Sequence, residues 1–332
     1  VCSSDLARRP RGRRLMLWDQ HACAELVETA DLTELHRYRP AGGGLVSLNV
    51  GYAPHGPEVM ASVLRAFRAQ VTAIDGLELA ATVADVDRIA AAGDTAVVFD
   101  LEDCAPLGGD LDAVATLVAQ GVRTLGPVYN YANAAGGGCL DADDPGLTRW
   151  GRDLVAELNR RGMVPDGSHV GARTSLDMCA VSTRPVVFSH SCMRSVWDHP
   201  RNITDEQARA AADTGGVVGI TGVGIFLGPN TPTLEAMVRH IEYAVEVVGI
   251  RHVGVSTDFS FDWETFQTTL AESPALYDAS YTAWGPVEWM PPETFVGLGA
   301  VLRDRGWHDD DIAAVLGGNF RRVALESWEP QP

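Results

Sequence analysis

The sequence has few of the features that mark disulfide-rich, membrane-spanning or nucleic-acid-binding proteins. None of its apolar runs approaches the roughly 20 residues that are needed to cross a bilayer. Its six cysteines are scattered without a Cys-x-x-Cys pair, which favours reduced thiols and a cytoplasmic location. The formal charge of -18 argues against nucleic acid or an anionic membrane as the main partner.

Two common catalytic signatures are also missing. The glycine-rich stretch at residues 133–144 lacks the Gly-x-x-x-x-Gly-Lys-Ser/Thr pattern, so it is a weak candidate for a phosphate-binding loop. A Gly-x-Ser-x-Gly elbow is absent as well, which disfavours a serine nucleophile of the hydrolase type. The chemistry must therefore be sought in other residues.

The length of 332 residues and the hydrophobic fraction of 46% suit one large globular domain. We expect it to span residues 15–328, and we interpret the basic residues 1–14 as a disordered or non-native arm. Short apolar runs predict eight strands buried on both faces. They cover residues 15–18, 45–50, 96–100, 122–129, 163–166, 186–189, 217–221 and 252–257.

Amphipathic segments between these strands predict helices, and the repeated alternation of strand and helix predicts an α/β fold, a single (β/α)8 TIM barrel. The helix candidates are residues 57–75, 111–120, 147–161 and 234–248. Residues 292–328 indicate two closing helices, with Gly317-Gly318-Asn319 turning between them or opening the last. Residues 262–292, rich in aromatic residues and proline, suit either a lid or pocket wall or an ordinary packed loop.

Polar side chains immediately follow four of the predicted strands. The motifs are Phe99-Asp100-Leu101-Glu102, Gly167-Ser168-His169, Phe188-Ser189-His190-Ser191 and Val255-Ser256-Thr257-Asp258. A barrel builds its active site at the carboxyl ends of its strands, so these groups are expected to meet. A carboxylate and several histidines at one rim indicate a metal site for hydrolysis.

Each of these residues also has a plainer interpretation. Glu102 is the best candidate to bridge two metal ions, although it could equally be a solvated loop carboxylate. His169 and His190 suit one zinc ion, whereas a lone histidine in such a place is more often a hydrogen-bonded structural residue. Asp258 could orient water, move a proton or hold an ammonium group, or it could cap a helix or form an ion pair.

Four further residues are candidates for the predicted site. His21 and Cys23, two residues apart after the first strand, could both reach one ion, although a buried thiol is as good an interpretation of Cys23. Asp19 is an alternative ligand if the pairing differs. Arg201 lies on the same rim and could bind a substrate carboxylate through two hydrogen bonds, with a surface salt bridge as the alternative.

Together these residues resemble the membrane dipeptidase family (renal dipeptidase, peptidase family M19) over about residues 15–325. The resemblance rests on Gly167-Ser168-His169-Val170, Pro185-Val186-Val187-Phe188-Ser189-His190-Ser191, Arg201-Asn202-Ile203, His252-Val253-Gly254-Val255-Ser256-Thr257-Asp258-Phe259 and Leu316-Gly317-Gly318-Asn319-Phe320. It implies a barrel with two zinc ions.

The resemblance also implies a role for each site residue. Glu102 would bridge the two ions, His21 would serve the first, and His169 with His190 would serve the second. Arg201 and Asp258 would face the substrate's carboxylate and its amine or the attacking water.

The sequence departs from the family pattern at two places. The first strand of the family carries His-x-Asp, whereas this chain has His21-Ala22-Cys23. The first metal is therefore expected to be held through sulfur, held weakly or absent. Where the family has a substrate-contacting histidine after the fourth strand, this chain has Tyr129, whose phenol could donate a hydrogen bond to a developing oxyanion.

The expected function is that of a zinc-dependent dipeptidase, acting by metal-activated hydroxide on dipeptides that include those with a C-terminal D-residue. Two alternatives remain open: a related binuclear amidase or lactamase, and a catalytically impaired binding protein that lacks the first metal. The expected partner is a small dipeptide-like substrate, without nucleic acid or membrane. Homodimerisation is an expectation from the resemblance only.

Overall fold

Short apolar runs alternate with amphipathic helices through residues 16–328, which are the residues that the computed structural model describes. The predicted arm at residues 1–14 lies outside this part of the chain. The strands are β1 (Leu17–Ala22), β2 (Gly44–Asn49), β3 (Leu77–Leu79), β4 (Thr95–Leu101), β5 (Val122–Leu125), β6 (Val164–Pro165), β7 (Val218–Thr221) and β8 (Val253–Ser256). All but β3 are buried along their whole length, as expected for strands covered on both faces.

The strands form a ring with parallel pairing. Hydrogen bonds join them in the order β1-β2-β4-β5-β6, and β7 pairs with β8. Isolated bridges connect residues 186–189 to both neighbours, through Asp166 with Val187 and Phe188 with Val218. A bridge between Cys23 and Ser260 links the end of the first strand to the segment after the last strand. Residues 186–189 therefore act as the sixth strand of the ring, between β6 and β7. With them, and without β3, the ring has eight parallel strands in sequence order, which confirms the predicted (β/α)8 barrel.

Helices surround this ring. They are α1 (Pro57–Ala73), α2 (Val83–Ala92), α3 (Ala113–Ala119), α4 (Arg149–Arg161), α5 (Ala172–Val181), α6 (Asp205–Asp213), α7 (Gly224–Leu227), α8 (Leu234–Val248), α9 (Trp263–Glu272), α10 (Pro292–Phe295), α11 (Leu298–Asp304), α12 (Asp309–Ala313) and α13 (Asn319–Ser327). Short 3-10 segments lie at Leu32–Ala41, Ala105–Leu107, Ile250–His252 and Ala279–Tyr281. Helix α8 has the predicted bounds, because the Thr233 side chain caps its start and Gly249 ends it.

The structure departs from the predicted strands in several places, and β1 continues to Ala22 instead of ending at residue 18. Strand β5 ends at Leu125 instead of residue 129, because Gly126 and Pro127 follow it and proline cannot donate to a ladder. Strand β3 was not predicted; it pairs with the first half of β4, beside the barrel ring. Residues 186–189 make single bridges instead of a continuous ladder, because the Asp166 carboxylate, not a backbone carbonyl, accepts from the Ser189 amide.

The prediction of two closing helices in residues 292–328 was wrong, since four short helices form there. A π-helical turn at Ala314–Gly318 leads directly into α13. A side chain at Gly317 would place its Cβ only 2.7 Å from the Met16 carbonyl oxygen, so this turn packs closely against the start of β1. Gly306, with φ of +87°, follows α11 and ends that helix.

Two global predictions can be compared with the described residues. In residues 16–328, none of the helices combines the length and the apolar character that a bilayer crossing requires. The five cysteines of this part of the chain are all free, as predicted for reduced thiols.

Candidate active site

The predicted ligands meet at the carboxyl ends of the barrel strands. His21 is the penultimate residue of β1, Glu102 lies directly after β4, and His169 lies shortly after β6. His190 directly follows the bridged residues 186–189, and Asp258 follows β8. Among the described residues, three groups of potential ligand atoms converge here: His21 with Cys23 and Glu102, His21 with His190 and Asp258, and Glu102 with His169 and His190.

Glu102 lies between the histidines and presents one carboxylate oxygen to each side. Its Oε1 is 3.6 Å from the Nε2 atom of His21. Its Oε2 is 2.9 Å from Nε2 of His169 and 3.6 Å from Nε2 of His190. This arrangement is the one that a carboxylate bridging two cations requires.

The hydrogen bonds of His169 and His190 determine which ring nitrogen carries the proton. His169 Nδ1 lies 2.8 Å from Asn130 Oδ1, which can only accept, so Nδ1 donates. Ser189 Oγ donates to Asp166, so it must accept from His190 Nδ1 at 2.7 Å. Both Nε2 atoms therefore hold lone pairs, and they lie 2.9 Å apart. Second partners of this kind commonly orient metal-binding histidines.

His21 faces the opposite oxygen of Glu102. Its Nδ1 donates to Asp100 Oδ1 at 3.0 Å, which directs Nε2 toward Glu102 and Asp258. Burial by itself would lower the pKa of His21, but the negative charge of Asp100 raises it well above its ordinary value. A proton on Nε2 would occupy the place of a cation, so this raised pKa reflects the negative surroundings that attract a metal ion.

Burial also shifts the other ionisable groups of the site. It raises the pKa of Glu102 to about 8 and that of Asp258 to about 6. It lowers the pKa of His169 and of His190 well below the ordinary value, and both rings are therefore neutral near pH 7. Neutral imidazole is the form that binds zinc. Converging imidazole lone pairs around a carboxylate are thus a donor set that fits a divalent metal.

The backbone is held in an unusual conformation at this site. Asn130, His169 and Asp258 have φ values of +59°, +66° and +50°, in the left-handed region that non-glycine residues rarely occupy. Such conformations cost free energy and persist only where the surrounding structure imposes them. Here they aim the His169 imidazole and the Asp258 carboxylate into the centre of the barrel mouth.

Cys23 and Asp19, the two candidate ligands near the first strand besides His21, lie in different places. Cys23 Sγ lies 3.3 Å from His21 Nε2, within the ligand group, and burial raises the pKa of its thiol to about 12. Asp19 is buried away from the cluster. Its carboxylate accepts from the Tyr38 hydroxyl at 2.5 Å and from the Thr257 amide at 2.8 Å, so it ties β1 to the segment after β8.

Tyr129 and Arg201 lie next to His169 on two different sides. The Tyr129 ring stacks on the His169 imidazole with centroids 4.1 Å apart, and its hydroxyl is 3.0 Å from that of Tyr277. Arg201 is 2% exposed, and its Nη2 lies 3.3 Å from His169 Nε2. The guanidinium also lies over the Phe226 ring, 5.1 Å from its centroid.

Two cavities reach this centre. The larger, of about 270 Å³, has Cys23, Glu102, Tyr129, His169 and Asp258 among its lining residues. Its remaining wall is mostly apolar, with residues from the segment after β7 and from α9 and its following loop. A second cavity, of about 200 Å³, is lined by Arg201 and Arg194 and meets the first at His169.

Four buried residues orient the site histidines, and this role was not predicted from the sequence. They are Asp100, Asn130, Asp166 and Ser189, all of which are buried and bonded to a site histidine or to its partner. One signal was present: each is a polar residue within or directly after an apolar run. The aromatic residues Tyr277 and Tyr281 were also missed, and they belong to the segment that was interpreted as either a lid or a packed loop.

Comparison with known proteins assigns the chain to a family. Residues 58–268, well over half of the 332-residue chain, match the family described as membrane dipeptidase (peptidase family M19). A dipeptidase of Clonostachys rogersoniana, verJ, is 32% identical over 252 residues. The match covers 75% of this chain and 60% of that relative, so the chain spans less than two thirds of the relative's length.

Two solved structures share the fold. The crystal structure of an amidohydrolase from Pseudomonas aeruginosa has a TM-score of 0.85 at 26% identity, with 95% of this chain and 97% of that chain covered. A metallo peptidase from Rhodobacter sphaeroides, liganded with a phosphinate mimic of the dipeptide L-Ala-D-Ala, has a TM-score of 0.76 at 21% identity. That match covers 95% of this chain and 99% of the other. The predicted family, enzyme class and barrel fold are thereby confirmed: the chain belongs to the membrane dipeptidase family, peptidase family M19.

Proposed function

We propose that this protein is a zinc-dependent dipeptidase that cleaves the amide bond of small dipeptides, including those with a C-terminal D-residue. The observation that carries the proposal is the position of Glu102 between His21 and the His169–His190 pair, at the floor of a cavity of dipeptide size. The phosphinate dipeptide mimic bound by the Rhodobacter sphaeroides peptidase supports this substrate class through the shared fold.

Two groups of residues would hold the metal ions. His21, Cys23 and Glu102 would hold the first, and Glu102, His169 and His190 the second. Divalent metal ions in such a site activate a water molecule and polarise the scissile carbonyl. Zinc suits the set because it accepts imidazole, carboxylate and thiolate ligands together. The remaining steps fall to the side chains around this centre.

Asp258 is positioned to accept and donate a proton during the reaction. Its Oδ1 lies 3.6 Å from His21 Nε2 and its carboxylate lines the cavity. Burial raises its pKa to about 6, close to the range in which a group can both accept and release a proton near neutrality. We assign it the transfer of a proton to the leaving amine.

Tyr129 and Arg201 would position the substrate. Burial keeps the pKa of Tyr129 well above its ordinary value, so the phenol remains a hydrogen-bond donor that can stabilise a developing oxyanion. Arg201 would bind the free carboxylate of the substrate, which explains a requirement for dipeptides over long chains. Its buried Nε atom has no hydrogen-bond partner among the described residues, so the guanidinium retains donor capacity for a ligand.

A dipeptide panel tests the proposed function. Zinc-loaded protein is expected to hydrolyse dipeptides with L- and D-residues at the C-terminus, and chelation is expected to abolish the reaction reversibly. The panel should include an N-acyl amino acid and a lactam. Cleavage of these alone would assign another amide substrate, and no cleavage of any amide would reject catalysis by this site.

A further inference from the structure

Asp262 carries a carboxylate that the protein itself does not use. It occupies the N-cap position of α9, where aspartate normally accepts from the first backbone amides, yet its side chain makes no capping hydrogen bond. Its Oδ2 atom is buried and lacks a hydrogen-bond partner among the described residues. The residue as a whole is half-buried, so its carboxylate combines an oxygen atom without a partner with access to the cavity that it lines.

The cavity around Asp262 suits a long side chain with a positive end. Asp262 lines the larger cavity together with the apolar residues Ile225, Phe266 and Trp289. None of the described residues that line this cavity is an arginine or a lysine. Lysine and arginine side chains place their methylene stems along apolar surface and keep the charged end on a polar partner. An apolar wall that ends at a free carboxylate provides both contacts.

We propose that Asp262 binds the cationic side chain of the N-terminal residue, so that lysyl and arginyl dipeptides are preferred substrates. This inference rests on the proposed function, in which Arg201 binds the C-terminal carboxylate. Arg201 lines the second cavity and is not among the residues that line the first. The C-terminal end of the substrate is therefore directed toward Arg201, and the first cavity with Asp262 receives the N-terminal side chain.

The test compares substrates that differ only in charge. Lysyl-alanine and norleucyl-alanine have side chains of similar length, and kcat/KM is measured for both, with L- and D-alanine. The expected ratio of lysyl to norleucyl kcat/KM is about 10 or more, and Asp262→Asn should reduce it about tenfold, as for a hydrogen bond to a charged group. Glu264→Gln is the matched control, since this exposed carboxylate of α9 does not line the cavity and the ratio should not change.

Binding measurements separate this inference from the proposed function. Calorimetry on chelator-treated protein should show tighter binding of lysyl-alanine than of norleucyl-alanine, and Asp262→Asn should remove the difference. A ratio near one in the wild-type protein, or one that Asp262→Asn leaves unchanged, would overturn the inference. If no dipeptide is cleaved, the proposed function fails, and calorimetry alone then decides: equal affinities reject the Asp262 subsite, and a lysyl preference that Asp262→Asn removes supports it.

Discussion

The Nε2 atoms of His169 and His190 lie 2.9 Å apart, and the partners of their Nδ1 atoms leave both with a lone pair. Two lone pairs at this distance repel each other unless a positive charge lies next to them. The Nη2 atom of Arg201 supplies part of that charge, 3.3 Å from His169 Nε2. This pair of nitrogens, with Glu102 beside it, is the strongest indication of a cation site in the described residues.

The ligand at position 23 can be tested by cobalt substitution. Because Cys23 Sγ lies 3.3 Å from His21 Nε2, we expect a thiolate ligand when the first ion binds, despite the raised pKa of the free thiol. Cobalt-loaded protein should then show a near-ultraviolet sulfur-to-cobalt charge-transfer band. Cys23→Asp should lose this band while it keeps the ion. An identical spectrum in both proteins would show that sulfur is not a ligand, and Cys139→Ser is the matched control.

Removal of the Tyr129 hydroxyl should slow catalysis more than it weakens binding. In Tyr129→Phe the ring that stacks on His169 remains, while the donor is lost. We expect kcat to fall about 100- to 1000-fold with little change in KM, as for one oxyanion-stabilising donor. Tyr243→Phe controls for loss of a hydroxyl elsewhere, since that hydroxyl donates to Asp205. Equal kcat values for wild type and Tyr129→Phe would remove Tyr129 from the mechanism.

Arg201 should matter only for substrates with a free carboxylate. Arg201→Gln is expected to raise KM for dipeptides about tenfold or more, because a charge-assisted hydrogen bond is lost. For the corresponding dipeptide amides KM should change little. Arg194→Gln is the control, because Arg194 lines the second cavity with Arg201 but is partly exposed. An equal rise in KM for acids and amides would contradict the carboxylate assignment.

His240 should make the stability of the fold depend on pH. His240 is buried, and its Nδ1 atom accepts a hydrogen bond from the Met193 amide. Burial lowers the pKa of His240 to about 4. Since the unfolded chain binds the proton near pH 6.5, the contribution of His240 to the free energy of unfolding should be constant above that pH and decrease between pH 6.5 and 4. The loss should total about 3 kcal/mol.

Denaturant unfolding at several pH values measures this dependence. His240→Asn keeps an acceptor near the Met193 amide but cannot be protonated, so the decrease in stability below pH 6.5 should be smaller than in the wild type. His308→Asn, at an exposed position, should behave like the wild type. The same pH dependence in His240→Asn and in the wild type would show that His240 does not cause it.

Local signals decided which parts of the fold could be predicted. Helix α8 was predicted with its observed bounds because its apolar period is regular and both ends carry capping residues. Helix α2 was missed, although Thr82 and Asp85 form a capping box at its start. Strand β3 could not be recognised, because it has only three residues and just one of them, Leu77, is buried.

The sequence predicted which residues following the strands lie together at the barrel mouth, but it did not predict their hydrogen-bond partners. His21, Glu102 and His190 each follow an apolar run, which is a pattern visible in sequence. The bond between His169 and Asn130 joins residues 39 positions apart, and only the closed barrel brings them together. The same holds for the left-handed backbone of Asn130, which no neighbouring sequence signal indicates.

The most direct test of the account is a zinc titration of chelator-treated protein, in which dipeptide hydrolysis is followed against metal added. Activity should rise until two equivalents are bound and then remain constant. Glu102→Gln should bind less zinc and lose most of its activity, because its amide keeps only one of the two ligand oxygens and no negative charge. Glu25→Gln, on the cavity rim, should still bind two zinc ions. Hydrolysis that persists without metal, or no hydrolysis when both sites are filled, would contradict the proposed zinc-dependent dipeptidase.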